Sequence, residues 1–211
     1  WEMAMQHVYS YGAGKAEAKG ALLCKEVLGG KGVGLMEMTS IGIPVPAGFT
    51  ITIQTCEEYY NLGRKLPKTL AKEVLEAIKK LEKNTGKKFG DPNDPLLVSV
   101  RSGAARSMPG MLETILNLGL NDIAVEGVAK KTGNARFAYD SYRRFIQMFS
   151  STAMGLSKEL MEEMLHKMKH DLGVKSDTDI PAEKLKELCE QFKAFYKKNK
   201  GEDFPQDPKE Q

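Results

Sequence analysis

The sequence predicts an α+β protein: a mixed α/β lobe over residues 1–121, followed by a mostly helical lobe over 122–211. Three observations predict it. Up to about Asp122 the chain is rich in glycine, proline and β-branched residues, whereas beyond it Met, Leu, Lys and Glu dominate at helical spacing. The first half also holds two short runs of strand character, one alternating (Phe49 to Ile53) and one continuously apolar (Leu96 to Val100). Finally, 211 residues with 41% hydrophobic and 28% charged side chains have ordinary globular composition and enough length for a sizeable core.

Taken in order, Leu22, Leu23, Val27 and Leu28 form an apolar pattern that runs into Gly29-Gly30-Lys31-Gly32. A helix is expected from Val33 to Ser40. Pro44 and Pro46 make 42–46 a rigid extended connector, because each proline holds the residue before it out of the helical region. The alternating run 49–53 is the first strand, and Thr55 is read as the cap of a short helix through Tyr60. Leu70, Val74, Ile78 and Leu81 then mark an amphipathic helix from Pro67 to Lys83, ended by Gly86. Residues 91–95 read as a loop and 96–100 as a buried strand. In the second half, Phe137, Tyr142, Phe145, Ile146 and Phe149 share one flank of a helix over 134–149. Ser157 opens another, with Leu160, Met164 and Met168 stacked by fours, and Pro181 a third, with Leu185, Leu188, Phe192 and Phe195 inward.

Composition also excludes. The net charge is +3 and the basic residues are interleaved with acids, so no nucleic-acid partner is expected. No run approaches membrane-spanning length and no signal peptide opens the chain, so no membrane partner and a cytoplasmic location are expected. Cys24, Cys56 and Cys189 are far apart and form no CxxC pair, which fits reduced thiols. His166 and His170 share a helix face, a spacing that can bind zinc, but with no third ligand they read as a surface pair. The opening Trp1-Glu2-Met3 and the polar tail Pro205 to Gln211 look like the cut edges of a fragment.

Three clusters carry chemistry. In 29–34 the glycines let a backbone approach an anion, a following helix start adds partial positive charge, and Lys31 offers a point charge; a plain glycine turn with a solvated lysine fits the same residues. The Walker spacing is absent. In 98–106, Arg101 ends a strand and precedes small residues, a setting suited to bidentate phosphate contacts or to a carboxylate partner. In 107–114, Met108-Pro109-Gly110-Met111 fits either a loop that seals a site or a core-packing loop.

Together and in this order, the runs 28–35 (LGGKGVGL), 43–51 (IPVPAGFTI), 98–104 (VSVRSGA) and 107–122 (SMPGMLETILNLGLND) resemble the N-terminal domain of the pyruvate phosphate dikinase family. So do 8–12 (VYSYG) and 134–148 (NARFAYDSYRRFIQM). Phosphoenolpyruvate synthases share the Gly-Lys-Gly and Val-Arg-Ser elements but lack the SMPGM run. The resemblance implies an ATP-grasp domain, with ATP between its lobes and its terminal phosphates held by Lys31 and Arg101. It implies a loop, Gly103 to Thr114, closing over the phosphates, with Gly103, Ser107, Met108, Gly110, Met111, Glu113 and Thr114 as its contact residues. It further implies Mg2+ accompanying ATP, a phosphohistidine domain of the same protein as acceptor, and a homodimeric full-length enzyme. That enzyme interconverts ATP, phosphate and pyruvate with AMP, pyrophosphate and phosphoenolpyruvate. His7, His166 and His170 match no acceptor motif and no carboxylate matches the family's metal ligands, so neither a catalytic residue nor a metal ligand is assigned in this chain. Alone it is expected to be inactive. The alternatives are a phosphoenolpyruvate synthase-like or other dikinase-type phosphotransferase, and a non-catalytic binding module.

Overall fold

A computed structural model describes residues 6–106 and 113–211. The described chain forms two compact units, one made of 6–86 with 102–106, the other of 87–101 with 113–211. These limits do not coincide with the boundary at 121 expected from the sequence. Among the described residues, helices and two small antiparallel sheets make up an α+β fold.

In the first unit, β1 (Val8–Tyr11) pairs antiparallel with β2 (Gly48–Ile51), placing Val8 opposite Ile51. Helix α1 (Lys25–Ser40) turns Leu28, Val33 and Met36 into a small core with Tyr9, Ala16 and Ala18. The cap of α2 (Ile53–Asn61) is Thr52 and not Thr55: the strand ends at Ile51, Thr52 is still extended, and its side chain accepts the Thr55 N–H. Thr55 lies inside the helix, where its hydroxyl meets Thr52 Oγ1 at 2.8 Å and His7 Nδ1 at 2.9 Å. Helix α3 (Leu70–Thr85) ends at Gly86 in the left-handed conformation and packs Leu70 and Ala77 against Val8. Its Glu73 accepts the backbone N–H groups of His7 and Val8 at 2.7 and 3.1 Å, which ties the start of β1 to the helix.

In the second unit, β3 (Val98–Arg101) pairs antiparallel with β4 (Thr114–Leu118), with Val98 opposite Leu118, Arg101 opposite Thr114 and a bulge between Val98 and Val100. The strand expected to be buried is not. Leu96 is buried, but Val100 is 46% exposed. The strand pair packs on the core through Val98, Ile115 and Leu118 and then runs past it, so its Arg101 end is solvated.

The main core lies among helices α4 (Ala124–Thr132), α5 (Ala135–Met148), α6 (Lys158–Leu172) and α7 (Ala182–Lys200). Gly127 lets α4 approach the 91–95 loop, since a Cβ there would lie 2.0 Å from the Pro92 carbonyl oxygen. Asn134 caps α5 by accepting the Phe137 N–H. The buried face of α5 is Ala138, Tyr142, Phe145 and Ile146, continued by Phe149 just beyond the helix; Phe137 stands one position off that stripe and is exposed. For the same reason α6 buries Met161, Leu165 and Met168, whereas Leu160 is exposed. On α7 Leu185, Leu188 and Phe192 are buried, with Tyr196 ending the stripe and Phe195 packing beside it. Arg143 is buried and satisfied by Asp140 at 2.5 Å and Asp177 at 3.4 Å. Just before the polar tail, Phe204 packs edge-on against Phe145, Phe149 and Tyr196. Among the described residues no helix is long and apolar enough to cross a membrane.

Candidate functional site

Lys31 owes its setting to a break in α1. Gly29 has φ 70° and ψ 165°, outside helical space and in the left-handed half that favours glycine. Its missing side chain matters as well, because a Cβ there would lie 3.3 Å from the Ala104 nitrogen. The chain is already helical from Lys25, eight residues earlier than the expected start at Val33. The break at Gly29 restarts the helix, so that Gly30, Lys31 and Gly32 form its first turn. First-turn N–H groups have no partner within their own helix. Here the Gly30 N–H donates to the Ala104 carbonyl at 3.2 Å, and the Lys31 ammonium donates to the Ser102 carbonyl at 3.1 Å. The glycine cluster and the segment 102–104 therefore form one contact set within the first unit. Both donors are taken up by carbonyl oxygens of the chain itself.

The second unit carries a separate group. Arg101 is the exposed last residue of β3, directly opposite Thr114, the first residue of β4. Among the described residues Arg101 has no ion-pair partner, so the carboxylate pairing that the sequence left open is not made there. Glu113 precedes Thr114, and its Oε2 accepts the Thr152 hydroxyl at 2.5 Å. Gly103 lies between Ser102 and Ala104, with none of the described residues within 4 Å of where a side chain would stand. Ser107, Met108, Gly110 and Met111 lie outside the described residues. Among the described residues no group of three or more His, Cys, Asp or Glu side chains fits a metal ion.

Sequence reasoning misses two contributors. The carbonyls of Ser102 and Ala104 act through the backbone, which leaves no side-chain signature. Thr152 lies in a π-helical turn, Phe149–Ala153, that no periodicity announces.

The sequence model of the family described as "Pyruvate phosphate dikinase, AMP/ATP-binding domain" matches residues 25–65 and 61–172. A pyruvate, phosphate dikinase of Clostridium symbiosum is 56% identical over 205 residues, covering 97% of this chain and 23% of its own length. The chloroplastic pyruvate, phosphate dikinase 1 of Arabidopsis thaliana is 50% identical over 209 residues, 99% of this chain and 21% of its own length. Pyruvate, phosphate dikinase 2 of Zea mays is 52% identical over 206 residues, 98% of this chain and 23% of its own length. The chain thus spans less than a quarter of these relatives.

Proposed function

The chain belongs to the family of pyruvate phosphate dikinase AMP/ATP-binding domains, and from that premise we propose that it holds ATP for a longer dikinase. In this reading Lys31 and Arg101 contact the terminal phosphates of ATP, and the 103–114 loop closes over them. The enzyme passes phosphoryl groups from ATP to a histidine on another domain of the same protein, and onward to phosphate and pyruvate. Mg2+ accompanies the triphosphate. Among the described residues no cluster of carboxylates is suited to hold it. The whole protein is a homodimer and works in the cytoplasm.

The observation that carries the reading is the pairing of Lys31 and Gly30 with the residues that follow Arg101 in the chain. A cation and a helix-start N–H, both directed at oxygens just downstream of a strand-end arginine, are what phosphoryl transfer asks of a protein. The reaction needs placement of the phosphates and neutralisation of their charge more than covalent help. Lys31 supplies a compact charge, and Arg101 a planar fork matched to two phosphate oxygens.

The test uses the whole enzyme and its two half-reactions. With Lys31→Ala or Arg101→Ala, phosphorylation of the acceptor histidine by ATP should slow by roughly a hundred- to a thousand-fold, while phosphoenolpyruvate still phosphorylates it at the normal rate. Equal loss of both half-reactions would refute the assignment.

A further inference from the structure

Five helical hydroxyls in this chain fold back on their own helix. Thr39 donates to the Leu35 carbonyl, Ser40 to Met36, Thr85 to Leu81, Thr132 to Val128 and Ser151 to Gln147, all at 2.7 to 2.8 Å. That is the ordinary bond of a serine or threonine inside a helix. Thr152 follows Ser151 directly and departs from the pattern: its hydroxyl leaves the helix and donates to Glu113.

The π turn accounts for the departure. At Met154 the backbone N–H reaches back five residues, to the Phe149 carbonyl at 3.2 Å, instead of four. One added residue rotates the side chains that follow by about 100° around the axis relative to an α-helix. This register has a cost, because Ser150 Oγ is fully buried without a hydrogen-bond partner among the described residues. The turn thus leaves one hydroxyl unsatisfied and directs another at a carboxylate on a different element. Turns of this kind concentrate at functional sites. Glu113 itself occupies a sensitive place, next to the residue that pairs with Arg101.

We propose that Thr152 is a positioning residue: its hydroxyl holds the Glu113 carboxylate and so fixes the start of β4 opposite Arg101. The inference rests on the reading of Arg101 and Thr114 as phosphate-binding residues. Thr152 touches no substrate; it acts through Glu113, by limiting the positions that Glu113 and Thr114 take.

The test measures the contact and its consequence separately, in the whole enzyme. Amide hydrogen exchange at 113–115 reports the anchoring without reference to ATP. It should rise in Thr152→Val and in Glu113→Gln, rise no further in the double variant, and stay near wild type in Thr152→Ser. Phosphorylation of the acceptor histidine by ATP should fall about tenfold in Thr152→Val, as expected for loss of orientation rather than of a charge. Phosphorylation by phosphoenolpyruvate should be unchanged. Thr152→Val and Glu113→Gln reach the same contact from opposite sides, so the test does not depend on one variant folding. Unchanged exchange in these variants, or a double variant whose effects multiply, overturns the proposal. Raised exchange together with full ATP-dependent activity in Lys31→Ala would overturn the phosphate reading and leave the anchoring role standing.

Discussion

Lys31 and Arg101 differ in what each can lose. Lys31 acts as a point charge on a flexible stem and now rests on the Ser102 carbonyl; Arg101 presents a fork. We expect Lys31→Ala to slow ATP-dependent phosphorylation by roughly a hundred- to a thousand-fold, the usual effect of removing one donor to a charged transition state. Arg101→Lys should recover little of the loss caused by Arg101→Ala, because the charge returns without the fork. A lysine that restored most of the rate would show that Arg101 works as charge alone. Both outcomes are read from single-turnover kinetics. The cysteines give a second residue-scale test. Burial pushes the Cys189 thiol up to about 12, whereas Cys56 is exposed. At pH 8 a thiol reagent should label Cys56 and spare Cys189 until denaturant is added, because the thiolate is the reactive form. The same shift has a signed effect on stability. Folded Cys189 keeps its proton to about 12, while the unfolded chain loses it near the ordinary thiol value of 9.0. Its contribution is therefore complete below pH 9 and is lost as pH rises from there to about 12. Tyr139 and Tyr142, both raised above the ordinary phenol value by burial first and by neighbouring carboxylates, act in the same direction above pH 10. The urea midpoint should fall steadily between pH 9 and pH 11; a flat profile would contradict the burial of these groups.

Among the elements, the glycine positions separate two kinds of constraint. Gly127→Ala would drive a Cβ to 2.0 Å from the Pro92 carbonyl oxygen, so α4 and the 91–95 loop would have to part. We expect a loss of about 1–3 kcal/mol, the usual range for overpacking, seen as a lower melting temperature. Gly29→Ala meets both a positive φ and the Ala104 backbone, so it should loosen the hold of α1 on 102–104 as well as costing stability. These elements also show what the sequence makes legible. Caps and stops are plain: Gly86 ends α3, Gly173 ends α6 and Ser157 caps α6, because such residues act locally. The stripe on α7 is plain through Leu185, Leu188 and Phe192 for the same reason. Phe137 and Leu160 are easily misplaced, because an apolar residue one position off a stripe looks, in sequence, like part of it. The break in α1 is hidden because glycine permits either a helix or a turn, and only the approach of 102–104 decides between them. Of the candidate site, the side chains are readable as motifs. The carbonyls of Ser102 and Ala104 and the aim of Thr152 depend on distant contacts and are not.

For the molecule as a whole, each unit has its own cores: Tyr9, Leu28 and Met36 belong to the first, and the large cluster around Phe145, Phe192 and Phe204 to the second. We expect thermal unfolding of the chain to depart from a single two-state transition, with the calorimetric enthalpy exceeding the van't Hoff value. Agreement of the two enthalpies would mean that the units melt as one. The chain is also expected to bind ATP weakly by itself, since it spans less than a quarter of its relatives; micromolar affinity in titration calorimetry would show that it needs nothing further. The backbone leaves the first unit after 86, returns at 102, and is back in the second by 113. On a translating ribosome, then, β1, β2 and the first three helices emerge before the strip that lies over Gly29 to Lys31, and a nascent chain halted at residue 86 would hold an unfinished unit. Order of emergence thus sets a waiting time on that strip, which a stalled-ribosome or pulse-proteolysis series across residues 86–106 would reveal as late protection.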